Sequence, residues 1–322
     1  MKPLLLLICI LLPLATFASE EDPGIHPIRT IKAHDGVVAS LAFSPDAKYI
    51  LSGGADKTMK LWEAATGKLV RTFEGHTGMI TSVACSPDGK YALSGSWDRT
   101  VRLGDIQTGK ETAVFLGHES MVNTVAFSPN GKYALSGSSD NMLKLWEVQT
   151  GKEVRTLKGH TGPVTSAAFS PDGKHIASAG HDTWDRSKVR IWEVETGMNI
   201  FSRELPNSPI PLSLAFLPDS RHVYFTTSGR STALLDIDNK EMREIGKHSK
   251  AVYTVAVSPS GKLGLSGDVT GMLKLYEFEY GTLRTKFLTD RNEIWSVAYS
   301  PDGQNVISGG KDGTISLWQA LE

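Results

Sequence analysis

Residues 117–148 read GHESMVNTVAFSPNGKYALSGSSDNMLKLWEV, and this stretch decides the fold. Three short segments in it have strand chemistry, at 122–127, 133–136 and 142–148. Turn-forming runs, Ser-Pro-Asn-Gly and Ser-Ser-Asp-Asn, separate the three segments. Alternating apolar and polar residues bounded by Gly, Pro, Asn and Asp are typical of antiparallel strands joined by tight turns. One such meander cannot bury both of its faces, so it requires copies of itself.

The copies follow at a regular interval. Gly-His pairs at 75–76, 117–118 and 159–160 are each followed, 22 residues after the His, by an Asp, and Trp146 and Trp192 come next in the third strand. The intervals between repeats are 42, 42, 42, 47, 41 and 42 residues, measured at the apolar residue before the first turn of each repeat. Those residues are Phe43, Cys85, Phe127, Phe169, Phe216, Val257 and Tyr299. A period in the low forties with four strands per unit is the spacing of WD40 propeller blades.

The chain therefore resembles the WD40 family from about Ile25 to its end. The resemblance implies an all-β, seven-bladed WD40 propeller over residues 27–322. Residues 27–34 (PIRTIKAH) are similar to the outer, fourth strands of other repeats, whereas residues 315–320 (ISLWQA) are a third strand with no fourth after it. We expect the N-terminal strand to complete the last blade, because ring closure leaves no exposed sheet edge.

Length and charge limit the classes of function. Seven repeats occupy nearly all of the 322 residues, so we expect one closed domain. The formal net charge is -1, and no basic block or stripe is present, so we expect no nucleic-acid partner. Cys85 stands at a position that other repeats fill with Phe, which predicts a small core hydrophobe and not a reactive thiol.

The first 18 residues differ from the rest of the chain. Lys2 precedes an apolar run at 4–14, and small residues precede an acidic stretch. These features are typical of a secretory signal peptide, with an uncleaved anchor as the alternative. We expect cleavage after Ala18, a disordered leader at 19–26, and an exported protein, periplasmic or extracellular, with no membrane insertion after cleavage. A signal peptide ahead of WD40 repeats suggests a secreted, bacterial-type member of the family.

The resemblance also implies a buried, hydrogen-bonded set in each blade: a His before the first strand, a Ser in the second, an Asp in the next turn and a Trp in the third. The complete sets are His34, Ser52, Asp56 and Trp62; His118, Ser136, Asp140 and Trp146; and His160, Ser178, Asp182 and Trp192. The other repeats have incomplete sets. Repeat two has His76, Ser94 and Asp98 but Gly104 in place of Trp; repeat six has His248 and Ser266 but Thr270 in place of Asp and Tyr276 in place of Trp; repeat seven has Ser308, Asp312 and Trp318 but Asp290 in place of His. Repeat five has Asn207, Gly229 and Leu235 at the His, Asp and Trp positions.

A His, a Ser and an Asp also compose a catalytic triad. Repetition around a ring favours the structural role, because catalysis needs one site and a scaffold needs many. The sequence contains no recognisable motif of a hydrolase, nucleotide-binding protein or metalloenzyme. We therefore expect no catalytic residues, no bound metal and no cofactor.

Recognition is the better hypothesis for the remaining distinctive residues. In the family, three positions of each repeat lie on the top face, the face of the His-bearing loops. Here they include Trp97, His181, Lys311, Met79, Met121, Glu293, Asn123, Tyr253 and Trp295, and Trp184 lies in an insertion of four residues in repeat four. Aromatic residues and Met are enriched at interface centres. We expect the aromatic residues either to form a rim around the central opening or to lie flat on their own blades.

The sequence thus predicts a non-enzymatic scaffold that binds a protein or peptide partner through the top face. We expect a monomeric propeller within a larger complex. The alternative is a propeller hydrolase or carbohydrate-binding protein that uses the central channel. Glu293, His181 and Lys311 are its candidate residues, and several carboxylates at the channel mouth would favour it.

Overall fold

The computed structural model describes residues 25–183, 186–205, 210–227, 229–289 and 292–321. Within these ranges the chain forms 28 β-strands and no helix. The strands make seven four-stranded antiparallel sheets, which are the blades of the propeller. The predicted all-β, seven-bladed fold is confirmed.

Six blades take four consecutive strands each. Blade one contains β2 (Val38–Phe43), β3 (Tyr49–Gly54), β4 (Met59–Glu63) and β5 (Leu69–Phe73); blade two β6 (Ile80–Cys85), β7 (Tyr91–Ser96), β8 (Val101–Asp105) and β9 (Glu111–Phe115); blade three β10 (Val122–Phe127), β11 (Tyr133–Ser138), β12 (Leu143–Glu147) and β13 (Glu153–Leu157). Blade four contains β14 (Val164–Phe169), β15 (His175–Thr183), β16 (Arg186–Glu193) and β17 (Asn199–Glu204); blade five β18 (Leu214–Phe216), β19 (His222–Thr227), β20 (Ser231–Asp236) and β21 (Met242–Lys247); blade six β22 (Val252–Val257), β23 (Leu263–Asp268), β24 (Met272–Glu277) and β25 (Thr282–Leu288).

Blade seven joins the two ends of the repeat region. It contains β26 (Ile294–Tyr299), β27 (Asn305–Gly310) and β28 (Thr314–Gln319), and its fourth strand is β1 (Arg29–Lys32). Ile31 lies opposite Ile315 in the antiparallel register, and the backbone N–H groups of Ala33 and His34 donate to Gly313 O. The predicted closure of the ring by the N-terminal strand is confirmed.

The hydrophobic core lies between the blades. In one cluster, Leu61 and Phe73 of blade one pack with Ile80 and Val83 of blade two, and similar clusters fill the other joints. A four-stranded sheet cannot bury its two faces by itself, so the stability of each blade comes from the hydrophobic clusters that it shares with its neighbours.

A hydrogen-bonded ring, here called the inner ring, joins the innermost strands. In every blade a backbone N–H donates to the Ser or Thr hydroxyl oxygen of the preceding blade, at 3.0–3.2 Å. The donor and acceptor pairs are Val83 and Ser40, Val125 and Ser82, Ala167 and Thr124, Leu214 and Ser166, Val255 and Ser213, Val297 and Thr254, and Leu41 and Ser296.

Four arginines of outer strands, here called the arginine clasps, hold the next blade at the outer edge. Their guanidinium groups donate to carbonyls of its turn between the third and fourth strands: Arg29 to Ala64, Arg71 to Gln107, Arg155 to Val194 and Arg243 to Phe278. Gly109, at a φ of +75°, makes room in one such turn, because a Cβ there would lie 2.5 Å from Arg71 Cδ.

The expected signal peptide and residues 19–24 of the expected leader lie outside the described residues. Ile25, near the end of that leader, packs against the core of blades six and seven. In the part of the chain that the structure describes, no helix is long and apolar enough to cross a bilayer.

Candidate functional site

Blade three shows the polar set that three blades share. His118 Nδ1 lies 2.7 Å from Asp140 Oδ2, and His118 Nε2 lies 2.7 Å from Ser136 Oγ. The indole N–H of Trp146 donates to the same serine oxygen at 2.8 Å. The same contacts occur in blades one and four, in the sets His34, Ser52, Asp56, Trp62 and His160, Ser178, Asp182, Trp192.

The direction of each bond follows from the two ends of the set. A carboxylate only accepts and an indole N–H only donates. The imidazole therefore donates from Nδ1 to the aspartate, and the serine donates to Nε2 while its oxygen accepts from the indole. Ser136 is fully buried. A nucleophile must reach a substrate, so this arrangement favours the structural role over the triad.

The pKa shifts of these groups agree with a neutral histidine that donates to the aspartate. Burial lowers the pKa of His34, His76 and His160, because a buried imidazolium would lose its hydration. Burial alone would raise the pKa of Asp56, but hydrogen bonds from His34 and Thr58 lower it to about 2. The result is a neutral histidine beside an ionised aspartate.

Blade two lacks the indole. His76 contacts Asp98 at 2.7 Å and Ser94 at 2.9 Å, but Gly104 stands in the third strand. A cavity of about 30 Å³ lies beside Gly104 and is lined in part by His76, Ser94 and Phe73. The Phe73 ring approaches Gly104, where a Cβ would lie 2.9 Å from it.

Blade six takes its carboxylate from a position that the sequence analysis did not single out. Asp268, at the end of β23, lies 2.9 Å from His248 Nδ1 and accepts from Thr270, the residue at the expected position. Ser266 lies 2.7 Å from His248 Nε2, whereas the Tyr276 hydroxyl donates to Lys247 O. A carboxylate two residues before the turn position was the only signal in the sequence.

Blades five and seven depart further. In blade seven, Trp318 donates to Ser308 at 2.9 Å, and Asp312 accepts from Thr314. In blade five, Leu235 is fully buried and Gly229 is exposed in a turn. Asp290 and Asn207, expected at the His position in blades seven and five, lie outside the described residues.

The top face carries bulges at the channel mouth. In six first strands a register shift leaves one residue unpaired, and a bulge redirects its side chain. The six residues are Ala39, Thr81, Asn123, Thr165, Tyr253 and Trp295. Thr81 and Asn123 donate to carbonyls of the next blade, Val122 and Val164 respectively. Tyr253 and Trp295 are aromatic instead.

Four of the expected partner-binding residues form one contact set, here called the blade six–seven cluster: Tyr253, Trp295, Glu293 and Lys311. The two aromatic rings meet edge to face, with centroids 5.6 Å apart. The Trp295 indole donates to Glu293 Oε2 at 3.3 Å, and Lys311 Nζ lies 2.6 Å from Glu293 Oε1. The hydrogen bond to Glu293 raises the pKa of Lys311.

The other expected residues lie on separate blades of the same face. Trp97 is 50% exposed, and its backbone N–H donates to Met79 O, so the two are neighbours on blade two. Met121 is 39% exposed on blade three, and His181 is half-buried on blade four. Among the described residues no ring contact joins Trp97 to the blade six–seven cluster, so the aromatic residues form a pair and an isolated Trp.

The insertion in blade four lengthens a hairpin. β15 and β16 continue past the positions where other blades turn, and His181 lies opposite Ser187. Trp184, the expected binding residue of this segment, lies outside the described residues.

Burial raises the pKa of the half-buried Cys85 thiol to about 12. The described ranges contain no group of three His, Cys, Asp or Glu residues that could hold a metal.

The family profile described as the IFT122 first beta-propeller matches residues 37–319. The chain belongs to this family. Among other relatives, this IFT122-type propeller is 26% identical over 142 residues to the WD repeat-containing protein SL1-17 of Schistosoma mansoni, across 42% of this chain and 45% of the relative. These matches confirm the predicted WD40 resemblance.

Two further relatives are named for associations. The serine-threonine kinase receptor-associated protein of Rattus norvegicus is 27% identical over 137 residues, 42% of this chain and 38% of its own length. The cilia- and flagella-associated protein 52 of Homo sapiens is 27% identical over 119 residues, 35% of this chain and 19% of its own length. In each case, the match with the IFT122-type propeller spans less than half of the relative.

Proposed function

We propose that this propeller is an exported, non-enzymatic scaffold that binds a protein or peptide partner through its top face. The observation that carries the proposal is the blade six–seven cluster. Tyr253 and Trp295 occupy bulge positions where blades two to four use polar residues that bond to the next blade. Their rings are half-buried and remain in reach of a ligand, and paired aromatic residues are frequent interface anchors.

The exposed residues of blades two and three extend this surface. Trp97 and Met121 have large apolar side chains that solvent reaches, and neither belongs to a described core cluster. The names of two relatives, receptor-associated and cilia- and flagella-associated, support a role in assemblies with other proteins. We therefore favour a protein partner.

The hydrolase or carbohydrate-binding alternative has less support. None of the six bulge residues at the channel mouth is a carboxylate. Glu293 is paired with Lys311 and Trp295 in blade seven, whereas His181 belongs to blade four. A general acid and base must converge on one substrate. The polar sets also use the histidines and serines of several blades for internal hydrogen bonds.

Export is proposed from the N-terminal sequence. Lys2, the apolar run at 4–14 and the small residues before position 19 fit a cleaved signal. The test is expression of the full chain in a bacterium, fractionation, and N-terminal sequencing of the recovered protein. Recovery from the periplasm with residue 19 first supports export, whereas an intact Met1 in the cytoplasm contradicts it.

The test of partner binding is affinity capture from cell extract with the mature protein as bait. The baits are wild type, the Trp97→Ala/Trp295→Ala double variant, and Tyr280→Ala as a matched aromatic control. Tyr280 is 69% exposed and lies near the turn between the third and fourth strands, at the opposite end of the blade. A protein retained by wild type and Tyr280→Ala but lost by the double variant supports the proposal. Equal retention by all three contradicts the top-face site.

A further inference from the structure

The joint between blades two and three lacks an arginine clasp at its outer edge. Each clasp arginine lies opposite a leucine in the third strand of its own blade, as Arg71 lies opposite Leu61. In blade two the residue at this position is Ala113, opposite Leu103. A methyl side chain carries no hydrogen-bond donor, so this joint has no guanidinium group of its own there.

The turn that a clasp would hold is nevertheless present in blade three. It reads Gln-Thr-Gly-Lys at 149–152, the same four residues as the turn at 107–110 that Arg71 holds in blade two. Gly109 and Gly151 have φ angles of +75° and +70°, and each glycine N–H donates at 2.8 Å to the carbonyl of the acidic residue four positions earlier. In both turns the threonine hydroxyl donates to the carboxylate of that acid. The two turns therefore have the same conformation.

Two carbonyl oxygens of this turn are the acceptors of the clasp. Arg71 Nη2 donates to Gln107 O at 2.7 Å, and Arg71 Nη1 donates to Thr108 O at 3.1 Å. In blade three the matched carbonyls belong to Gln149 and Thr150, which are exposed residues, and no described residue donates to either carbonyl. Blade three thus offers the same pair of acceptors to a donor from outside the chain.

An open groove of about 550 Å³ leads to these carbonyls. Its lining includes Leu103, Ala113, Val148, Gln149 and Thr150. The clasp side chains lie over the turn glycines, since a Cβ on Gly67 or Gly109 would lie 2.6 or 2.5 Å from the arginine Cδ. A Cβ on Gly151 would meet no atom closer than one of Phe115 at 3.4 Å. The groove therefore has room for an arginine stem, and its apolar lining suits the methylene groups.

The other joints differ from this one. The matched groove between blades three and four, of about 500 Å³, has Arg155 in its wall. Between blades four and five the clasp position holds Phe201, and Lys240 of the next turn lies over its ring, 5.9 Å from the centroid. Blade seven takes its fourth strand from β1, so no turn connects its third strand to its fourth. Within the described ranges, the joint between blades two and three alone pairs this acceptor turn with no donor.

The acidic residue of the turn favours a cation in the groove. Glu147 lines the groove and accepts a hydrogen bond from the Thr150 hydroxyl, and it forms no ion pair with a described residue. In blade two, hydrogen bonds from Thr108 lower the pKa of the matched Asp105, and the Arg71 guanidinium adds to that lowering. A guanidinium in the groove would therefore meet a carboxylate at the same place.

One cation already lines the groove. Lys132 lies over the Tyr133 ring, 5.0 Å from its centroid. The clasped joints have lysines at the matched positions, Lys90 and Lys174, beside Arg71 and Arg155. A lysine at this position is thus compatible with a guanidinium group on the neighbouring turn.

We propose that the groove between blades two and three binds an arginine side chain of a partner protein, which donates to the Gln149 and Thr150 carbonyls as Arg71 donates to its own turn. The planar guanidinium presents a fork of donors that can reach two carbonyls together, whereas an ammonium is a single point of charge. Arginine is also enriched in protein interfaces. The site lies at the end of the blades opposite the top face, so it is a second surface that does not depend on the blade six–seven cluster.

The test is an NMR titration of the isotopically labelled mature protein with the capped peptide Gly-Gly-Arg-Gly-Gly, in moderate salt that screens non-specific attraction. We expect saturable shifts of the Thr150 and Gly151 amide signals. The matched peptide with lysine in place of arginine should bind about tenfold more weakly, because its ammonium does not span both carbonyls.

Two variants of this chain test the same contact from opposite sides. Ala113→Arg supplies the clasp within the chain, so it should abolish the peptide-induced shifts and raise the melting temperature. Arg71→Ala removes the donor from the identical turn of blade two, so it should create a second peptide site at 107–110. The second variant keeps the test decisive if Ala113→Arg does not fold.

Equal binding of the arginine and lysine peptides overturns the proposal, as does the absence of shifts in folded wild type. Shifts of Thr150 and Gly151 that persist in folded Ala113→Arg overturn it as well. Self-association of wild type that Ala113→Arg abolishes overturns the assignment to a different protein, because the occupant is then a second copy of this chain. The Trp97→Ala/Trp295→Ala variant should leave the peptide-induced shifts unchanged, so the two surfaces succeed or fail separately.

Discussion

The backbone N–H of Leu41 donates to Ser296 Oγ at 3.0 Å, across 255 residues of chain. This bond is the last of the seven in the inner ring, and it joins blade one to blade seven. The N–H is buried, so without its acceptor it would be left unsatisfied.

Ser296→Ala should therefore destabilise the protein by about 1–3 kcal/mol, the cost of a buried donor without a partner. Ser296→Thr is the matched control, because Thr124 and Thr254 fill the same role in blades three and six. Chemical denaturation of the three proteins measures the difference. Equal stability of the alanine and threonine variants would show that the bond contributes nothing.

Removal of residues 28–33 should lower the melting temperature of the whole ring. The deletion removes β1, exposes the edge of β28 and takes Ile31 and Ala33 away from the core of blades one and seven. Because the blades share their cores, the loss should spread beyond blade seven. The measurement is thermal unfolding followed by circular dichroism, and an unchanged melting temperature contradicts the role of β1 in closure.

Acid should destabilise the ring in two stages. The pKa values of His34, His76 and His160 are lower in the folded state, so the unfolded chain takes up protons first as the pH falls below about 6.5. The stability that these neutral histidines contribute is therefore fully present above about pH 6.5 and decreases as the pH falls below it. Asp56 and Asp98, with pKa values of about 2 instead of 3.8, extend the loss through the range from about pH 4 to pH 2. Urea unfolding across this range tests the sign, and rising stability between pH 7.5 and 5.5 would contradict it.

Gly104→Trp should stabilise blade two by about 1–2 kcal/mol, from one new hydrogen bond and added apolar burial. The indole is larger than the cavity beside Ser94, so Phe73 must turn aside and stack on it as Phe115 stacks on Trp146 at 5.6 Å. Gly104→Ala is the control, since its Cβ meets Phe73 without supplying a donor. We expect the order of stability Trp, wild type, Ala from denaturation curves; a Trp variant less stable than the Ala variant would contradict the argument.

Asp268→Ala should cost about 2–4 kcal/mol, because it breaks a buried network and leaves charged-group hydrogen bonds unmade. Asp268 accepts from His248, from Thr270 and from the backbone N–H of Met272. Thr270→Val removes only the hydroxyl at the position that the repeat pattern singles out, and should cost less. The reverse order in denaturant unfolding would restore Thr270 as the functional equivalent.

Local patterns predicted the fold because each blade is a local structure. The strand alternation, the turn residues and the interval of about 42 residues lie within one repeat, and the closure followed from comparing the two ends. The inner ring was not predicted: Val83 and Ser40 are 43 residues apart, and a serine in a strand does not by itself reveal an acceptor for the next blade.

The sequence predicted the polar sets more completely than the contacts on the top face. Where spacing is regular, as from His118 to Asp140, sequence identifies the partners. In blade six the carboxylate is Asp268, the last residue of β23, which lies two residues before the turn position held by Thr270. A pattern based on spacing therefore does not identify it. The proximity of Tyr253 to Trp295 depends on bulges in two neighbouring blades, and no periodicity reports a bulge that redirects a side chain.

The arginine clasps have a mechanical consequence. They fasten the outer edge between blades seven and one, one and two, three and four, and five and six, but blade six offers Thr285 at the clasp position opposite Leu275. Blade seven, whose fourth strand is β1, also has no connecting turn there for an arginine to grip. In the described residues, the seam between blades six and seven thus has no arginine clasp: Phe287 of the outer strand packs on Trp318, and Tyr253 contacts Trp295 at the inner side. A partner bound across those two rings, as proposed, would contact both blades, and its binding free energy would add to the stability of the closed ring.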